Sequence, residues 1–259
     1  MKQTLEKKND EDKISTKFQA LADEMLSIMS LCQSQSERVQ LAKIIRDFNY
    51  RLSLTLSANV KPGGHVDQGN GASSRQFMID ILEIIRGFME TFPMKRSFTV
   101  LDVGCGVASG TDLLASLYSN KQFGYSLQVT ALDIQNSYEP YIYSTTKYIK
   151  FICDDIFKHD KNYDIVICNH VIEHTNDPVK FIKRLQLISR GIVIVSTPFK
   201  EPLLGRTKSH RHSFDEEFIK LVSPERFSII HSPAWGAKRY PKYEMLIMEI
   251  KGLAEKNES

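Results

Sequence analysis

The segment ICNHVIEHTNDP, which begins at Ile167, packs His170, Glu173 and His174 into five residues, and KSHRHSFDEEF adds His210 and His212 further on. Imidazoles and a carboxylate at such spacing either hold a divalent ion or move protons. As a bare string, H-x-x-E-H is also the signature of a class of zinc peptidases, whose two histidines share one helix face with a third ligand nearby. The flanking residues argue against that chemistry. Ile165 to Cys168 reads as a strand, and Asp177-Pro178 restarts the chain as a new helix within a few residues, so no long helix is left to carry both histidines. Proton transfer is the other use: a neutral histidine at the lip of a site takes the proton from an attacking hydroxyl. His170, Glu173 and His174 are all of a type to serve that use. A structural use, capping a helix or bracing a loop, stays open for both histidines.

A second chemical segment is VLDVGCGVASG, from Val100. A buried strand delivers Asp102 to its carboxyl end, and Gly104 and Gly106, flanking Cys105, let the backbone turn sharply and approach a ligand with no side chain between. The spacing is not that of a dinucleotide fingerprint, which would need glycine at position 109, where the chain has Ser109 with Gly110 one residue late. The Lys-Ser/Thr pair of a phosphate-binding loop is missing too. VTALDIQ then places Asp133, followed by Ile134, at the end of the next strand, where an acid commonly accepts from the hydroxyls of an adenosine ribose. A third strand ends in Asp154-Asp155, followed by Ile156, and a fourth in Asn169.

The elements that position these residues follow from periodicity. Apolar residues at three- and four-residue steps predict helices from Ile14 to about Leu31, after Ser36 through Phe48, and over RQFMIDILEIIRGFMETF before Pro93. Between the last two, the Gly-, Ser- and Asn-rich stretch over residues 57–74 reads as a loop. After Lys95 the period changes to strands alternating with helices: SFTVLDV, SLQVTALD, YIKFICDD, YDIVICNH, GIVIVSTP, FSIIHS and YEMLIMEI. Asp177-Pro178 opens one helix as N-cap and first-turn residue, and Ser213 with Glu216 reads as a capping box for another. The expectation is an α/β fold: a Rossmann-like, doubly wound, mostly parallel seven-stranded sheet with an antiparallel last strand, preceded by a helical segment. Residues 1–95 form that helical segment with its glycine-rich loop, and residues 96–259 form the ligand-binding domain. The helices suit a lid or an oligomer interface, and as a lid would bring His65 and Arg75 towards an acceptor.

In these motifs the chain resembles the class I S-adenosylmethionine-dependent methyltransferases, from about Ser97 to Lys251. VLDVGCG matches the glycine loop, ALDIQ the ribose acid, FICDDIF the adenine contact, and YDIVICNHVIEHTNDP and GIVIVSTP the fourth and fifth strands. One departure is LISRGIVIV, where many relatives carry a K-P-G-G turn. The resemblance implies S-adenosyl-L-methionine as cofactor. Asp102, Gly104, Cys105 and Gly106 then lie by its methionine part, Asp133 and Ile134 by the ribose, Asp154 or Asp155 with Ile156 at the adenine, and Asn169 is a further cofactor-binding residue. It also accounts for the Glu-His pair without a metal, since many relatives have one there, and for a hydroxyl acceptor it implies His174 as first candidate for the base and His170 as second, with Glu173 beside them. A related group, the small-RNA 3′-terminal 2′-O-methyltransferases, holds a divalent ion with a Glu-x-x-Glu-His motif and a later histidine. Here His170 replaces the first glutamate. The expectation is therefore a metal-free site, and a metal, if used, falls to Glu173, His174, His210 and His212. The STP-loop-H-x-H-S-F-D-E-E-F layout resembles methyltransferases of sugars, quinone-like rings and surface-polysaccharide precursors, which implies O-methylation of a small or glycan-like acceptor. RNA-end methylation and a cofactor-binding protein that has lost catalysis are the rival readings.

Whole-chain properties narrow the classes further. With 34 basic and 31 acidic residues among 259, the chain has no excess charge to hold a long nucleic acid. The N-terminal MKQTLEKKNDEDK has no apolar core of the kind a signal peptide needs, and no later run is long enough for a membrane span, so a cytoplasmic location is expected. Cys32, Cys105, Cys153 and Cys168 form no C-x-x-C pair, which suits reduced thiols in that setting.

Overall fold

The computed structural model describes residues 16–17, 19–21, 23–24, 26–28, 30–58, 68–119, 123–201, 209–235 and 244–255. Two compact units divide between Thr55 and Leu56. In the first, the described residues are helical up to Leu31, and helix α1 (Gln35–Ala58) opens on a reciprocal cap: Ser34 Oγ accepts from the Glu37 amide at 3.2 Å while Glu37 accepts from the Ser34 amide at 2.9 Å.

The second unit holds helix α2 (Gln68–Glu90) and the sheet. Strands β1 (Ser97–Val103), β2 (Ser126–Asp133), β3 (Ile149–Cys153), β4 (Tyr163–Asn169), β5 (Ser189–Phe199), β6 (Arg226–Ile230) and β7 (Glu244–Lys251) form one seven-stranded sheet in the order β3-β2-β1-β4-β5-β7-β6. The first five run parallel, and β7 is antiparallel to both β5 and β6. The reversal has a simple cause: the link from β6 to β7 carries only a 3-10 turn (Pro233–Trp235) and no crossover helix among its described residues, which suits antiparallel neighbours.

The apolar runs of the central strands are continuous because helices cover both faces. Alternation sorts their side chains: Val100, Ile165, Ile167, Ile192, Ile194 and Ile247 enter one core, and Leu101, Val166, Val193, Val195, Leu246 and Met248 the other. The first core takes the stripe Phe77, Met78, Ile81, Ile85 and Met89 of α2. Helix α3 (Ser109–Leu117) adds Leu114 and Ala115 there, while α5 (Pro178–Leu187) and α6 (Glu216–Val222) supply Phe181, Ile182, Leu185 and Ile219 to the second. Helix α4 (Glu139–Thr145) lies between β2 and β3 in the chain.

Three local expectations differ from what is found. The units part at residue 55 and not at 95, because the apolar stripe of α2 is buried against the sheet. The stretch expected as loop over 57–74 is already helical from Gln68, whereas residues 59–67, including His65, lie outside the described residues; Arg75 is an exposed residue of α2. And Ser213 does not cap α6. Asp215 does, accepting from the Glu217 and Phe218 amides at 3.0 and 3.1 Å, while Ser213 Oγ donates to the Glu201 carbonyl. Asp177 caps α5 as expected, accepting from the Lys180 amide at 2.9 Å with Pro178 behind it. Among the described residues no helix is long and apolar enough to cross a membrane.

Candidate active site

The carboxyl ends of β1, β2 and β4 open onto a cavity of about 660 Å³. One wall is the glycine turn. The amides of Gly104 and Cys105 donate to the Leu132 carbonyl at 2.8 and 3.2 Å, which ties the turn to the end of β2. Gly104 has φ +73°, and a Cβ there would stand 2.4 Å from Val171 Cγ2; Gly106 has φ +54°. Both positions favour glycine for reasons of backbone conformation, and the first also for space. Gly110, the residue one place late for a dinucleotide fingerprint, serves packing: an added Cβ would meet the Ser74 carbonyl at 2.4 Å where α2 crosses α3.

Asp133 is buried and lines the cavity. Its Oδ2 accepts from the Gly106 amide at 2.9 Å and its Oδ1 from the Gln135 amide at 3.0 Å, so each oxygen keeps a further acceptor position for a ligand hydroxyl. Burial pushes the Asp133 carboxyl up, and the amides of Gly106, Gln135 and Ile134 oppose the rise. Asp102 sits deeper, accepting from Thr111 Oγ1 at 2.5 Å. Desolvation raises its pKa to about 7; the Thr111 hydroxyl opposes this and the nearby Asp133 charge adds to it.

On the same wall Ile134, Gln135, Tyr138, Ile156 and Phe181 complete an apolar slot. Neither Asp154 nor Asp155 lines it. Asp154 Oδ1 accepts from the Asp155 amide at 2.8 Å and its Oδ2 lies 3.3 Å from His159 Nδ1, while Asp155 Oδ1 accepts from the Phe157 amide at 3.0 Å. Both acids therefore shape the loop that presents Ile156. Arg184 on α5 holds that loop from the other side, its Nε donating to the Ile156 carbonyl at 2.8 Å and its Nη2 to the His159 carbonyl. Asn169 also stays out of the cavity lining, its Oδ1 accepting from Ser196 Oγ at 2.7 Å. Cys105 is buried and likewise absent from the lining.

The opposite wall follows β4. His170 has φ +55° and donates its amide to the Ser196 carbonyl at 2.9 Å. Its ring stacks on Phe77 at 3.7 Å, with Nε2 3.3 Å from Met245 Sδ and Nδ1 3.2 Å from Glu173 Oε1. A 3-10 turn (Ile172–His174) carries the next two groups. Glu173 is buried, with Oε2 accepting from Thr197 Oγ1 at 3.2 Å. Burial alone would push its carboxyl up; His170, its own backbone amide and His174 together hold it below the ordinary carboxylate range. His174 is exposed, lines the cavity, and sets Nδ1 3.1 Å from the Ser209 carbonyl.

The later histidines part company. The Arg211 amide donates to the Glu173 carbonyl at 2.7 Å, and the Arg211 side chain reaches Asn176 Oδ1, which draws the segment after β5 over the 3-10 turn. His210 thereby packs edge-on against His174, ring centroids 4.7 Å apart, with its Nδ1 2.6 Å from Glu201 Oε2. Ligand-capable atoms of Glu173, His174 and His210 all lie within 4.8 Å of one another. His212 is not part of that group: its Nε2 engages the Thr175 carbonyl at 2.9 Å and its ring stacks beside Phe214. Sequence reasoning missed Tyr138, Val171, Phe181, Arg184, Glu201 and Ser209. Nothing in their local spacing sets them apart from ordinary core or loop residues.

Comparison with known proteins accords with this geometry. The family model described as "Methyltransferase domain" matches residues 74–232. Two strains of Rickettsia bellii, OSU 85-389 and RML369-C, each have a ubiquinone biosynthesis O-methyltransferase 33% identical over 118 residues, covering 42% of this chain and 43% of theirs. The match thus spans less than half the length of those relatives. Among solved structures, the magnesium protoporphyrin IX methyltransferase of Synechocystis PCC 6803 with bound S-adenosylhomocysteine superposes with a TM-score of 0.52 at 17% identity, over 82% of this chain and 100% of that one. A phosphoethanolamine N-methyltransferase of Haemonchus contortus gives 0.50 at 16% identity, over 84% of this chain and 52% of that one. At such identities these two establish the fold alone. With the family model matching more than half its length, the chain belongs to the methyltransferase-domain family.

Proposed function

We propose that the chain O-methylates a small-molecule acceptor, with His174 as general base and His170 and Glu173 as the groups that position it. One observation carries the proposal: His174 lines the same cavity as Gly104, Gly106 and Asp133, so the imidazole and the cofactor wall face one space. The name of the Rickettsia relatives, a ubiquinone biosynthesis O-methyltransferase, supports a hydroxyl on a quinone-like ring as acceptor. Sugar precursors are the second acceptor class to test.

The residues of the cavity fit the cofactor. Asp133 offers two carboxylate oxygens to ribose hydroxyls, the bare backbone at Gly104 and Gly106 admits the methionine part, and the slot of Ile134, Tyr138, Ile156 and Phe181 suits a flat purine. When bound, the cofactor would supply a methyl group on a sulfonium to the acceptor oxygen, whose hydroxyl proton must then leave. His174 receives that proton. With Nδ1 held against the Ser209 carbonyl, its Nε2 is the basic nitrogen. Holding nucleophile and base in register supplies the rest of the rate. The test is calorimetry with S-adenosylmethionine on the wild type and Asp133→Ala, followed by methyl transfer to phenolic and sugar hydroxyls. Failure of the wild type to methylate any hydroxyl acceptor while it methylates an amine would refute the O-methyl assignment.

A further inference from the structure

One buried oxygen of the acceptor wall lacks a hydrogen bond among the described residues. Glu173 is 1% exposed, and its Oε1 is, among the described residues, a buried side-chain oxygen without a hydrogen bond. The nearest group is His170 Nδ1 at 3.2 Å, which forms an ion pair with the carboxylate when protonated. A buried carboxylate oxygen left this way is costly. A cation would offset that cost.

The two imidazoles next to it are held from behind. His174 Nδ1 faces the Ser209 carbonyl at 3.1 Å, and His210 Nδ1 faces the carboxylate of Glu201, itself buried, at 2.6 Å. An Nδ1–H donated to a carbonyl or a carboxylate fixes the tautomer and the ring orientation, and it is the usual company of metal-ligating histidine. Thr197 does the same for the glutamate by engaging Oε2 at 3.2 Å. Two nitrogens and one carboxylate oxygen suit a first-row transition ion; magnesium and calcium prefer all-oxygen sets, and no thiolate is near to favour a softer ion.

We propose that Glu173, His174 and His210 bind a divalent first-row transition-metal ion at the acceptor mouth of the cavity, with Thr197, Ser209 and Glu201 orienting the three ligands. The ligand-capable atoms now lie within 4.8 Å of one another. Tetrahedral bonds of ordinary length need roughly 3.3 Å between them. The difference, at most about 1.5 Å, is closed by small shifts of the three side chains that keep the Ser209 and Glu201 contacts. Because His174 lines the cavity, an ion held there would be within reach of an acceptor with two adjacent oxygens, a catechol or vicinal diol, which would chelate it and have its reacting hydroxyl polarised. In that state the ion takes over the activation assigned above to His174. This acceptor role rests on the methyl-transfer reading; the binding of the ion does not.

The test uses the 259-residue chain stripped with chelator and titrated with Zn²⁺ or Mn²⁺ without cofactor, and with Co²⁺ followed by its visible absorption. The expected result is one equivalent bound and the bands of a mixed nitrogen–oxygen site. His174→Ala and His210→Ala should each weaken binding at least tenfold, and Glu201→Gln, which touches no ion, about 10- to 100-fold. Glu173→Gln keeps the side-chain shape and should also lose the ion. A parallel titration with S-adenosylmethionine reports folding of each variant. Cofactor binding by a wild type that takes up no metal overturns the site and leaves the methyl-transfer reading standing. Metal affinity unchanged in His174→Ala and His210→Ala overturns it as surface binding.

Discussion

The two walls of the cavity are built differently. The cofactor wall is made of strand ends and backbone: Gly104, Gly106 and Asp133 are positioned by amide–carbonyl and amide–carboxylate bonds between adjacent strands. The acceptor wall is made of side chains on a 3-10 turn and a distant loop, His170, Glu173, His174 and His210, tied together by imidazole and carboxylate contacts. The first can hardly vary without breaking the sheet edge. The second can change its chemistry by single substitutions, which is how one fold serves many acceptors.

If the walls are separable in this way, damage to one should leave the other's function intact. The largest effect is expected from Asp133→Ala, which removes the partner of the Gly106 amide as well as the ribose acceptor. Cofactor affinity should fall on the order of 100-fold or more, since bonds to a charged group contribute roughly 1.5–3 kcal/mol each; calorimetry reads this directly. Next, His174→Ala should lower kcat by about 10²- to 10⁴-fold at unchanged cofactor affinity. A matching loss of cofactor affinity would mean that the walls act as one unit.

The pH response should sharpen the contrast. Asp102, with its carboxyl raised to about 7, favours the protonated form when folded, so its contribution to stability is present at low pH and is lost as pH rises from the ordinary carboxylate range through about 7. Binding of the cationic cofactor should draw the carboxyl into its ionised form, so affinity rises over the same interval, and Asp102→Asn should flatten both the melting-temperature and the affinity profiles. Glu173 on the other wall has the opposite sign: held below its ordinary value, it contributes stability at neutral pH that is lost as pH falls through its folded pKa. Thermal melts of Glu173→Gln against pH would show that reversal. The smallest effect belongs to a helix end away from both walls: Asp215→Ala should cost about 1 kcal/mol as a lost N-cap, and Ser213→Ala less, measured by urea unfolding.

Much of this was legible before any coordinates. The sheet could be read because its signal is local, apolar runs ending in acids and glycines, and the end of β2 brings Asp133 into the cavity lining. Asp154 and Asp155 stay out of the cavity lining because a strand-end acid can turn inward to its own loop as easily as towards a ligand; here His159 and the amides after them engage both. Ser213 misled for a related reason, as Asp215 stood closer to the first helical amides. The extent of the second unit was hidden because the stripe of α2 shows only that it packs on something.

By itself, then, the sequence determined the α/β alternation, the glycine turn and the place of Asp133 at a strand end, since each depends on neighbours within a few positions along a strand and its turn. Only the tertiary structure decided which histidine meets His174. His210 and His212 are two residues apart and chemically alike, and the choice between them follows from the bond between Arg211 and Glu173 across the fold, which turns one imidazole towards Glu201 and His174 and the other towards the Thr175 carbonyl.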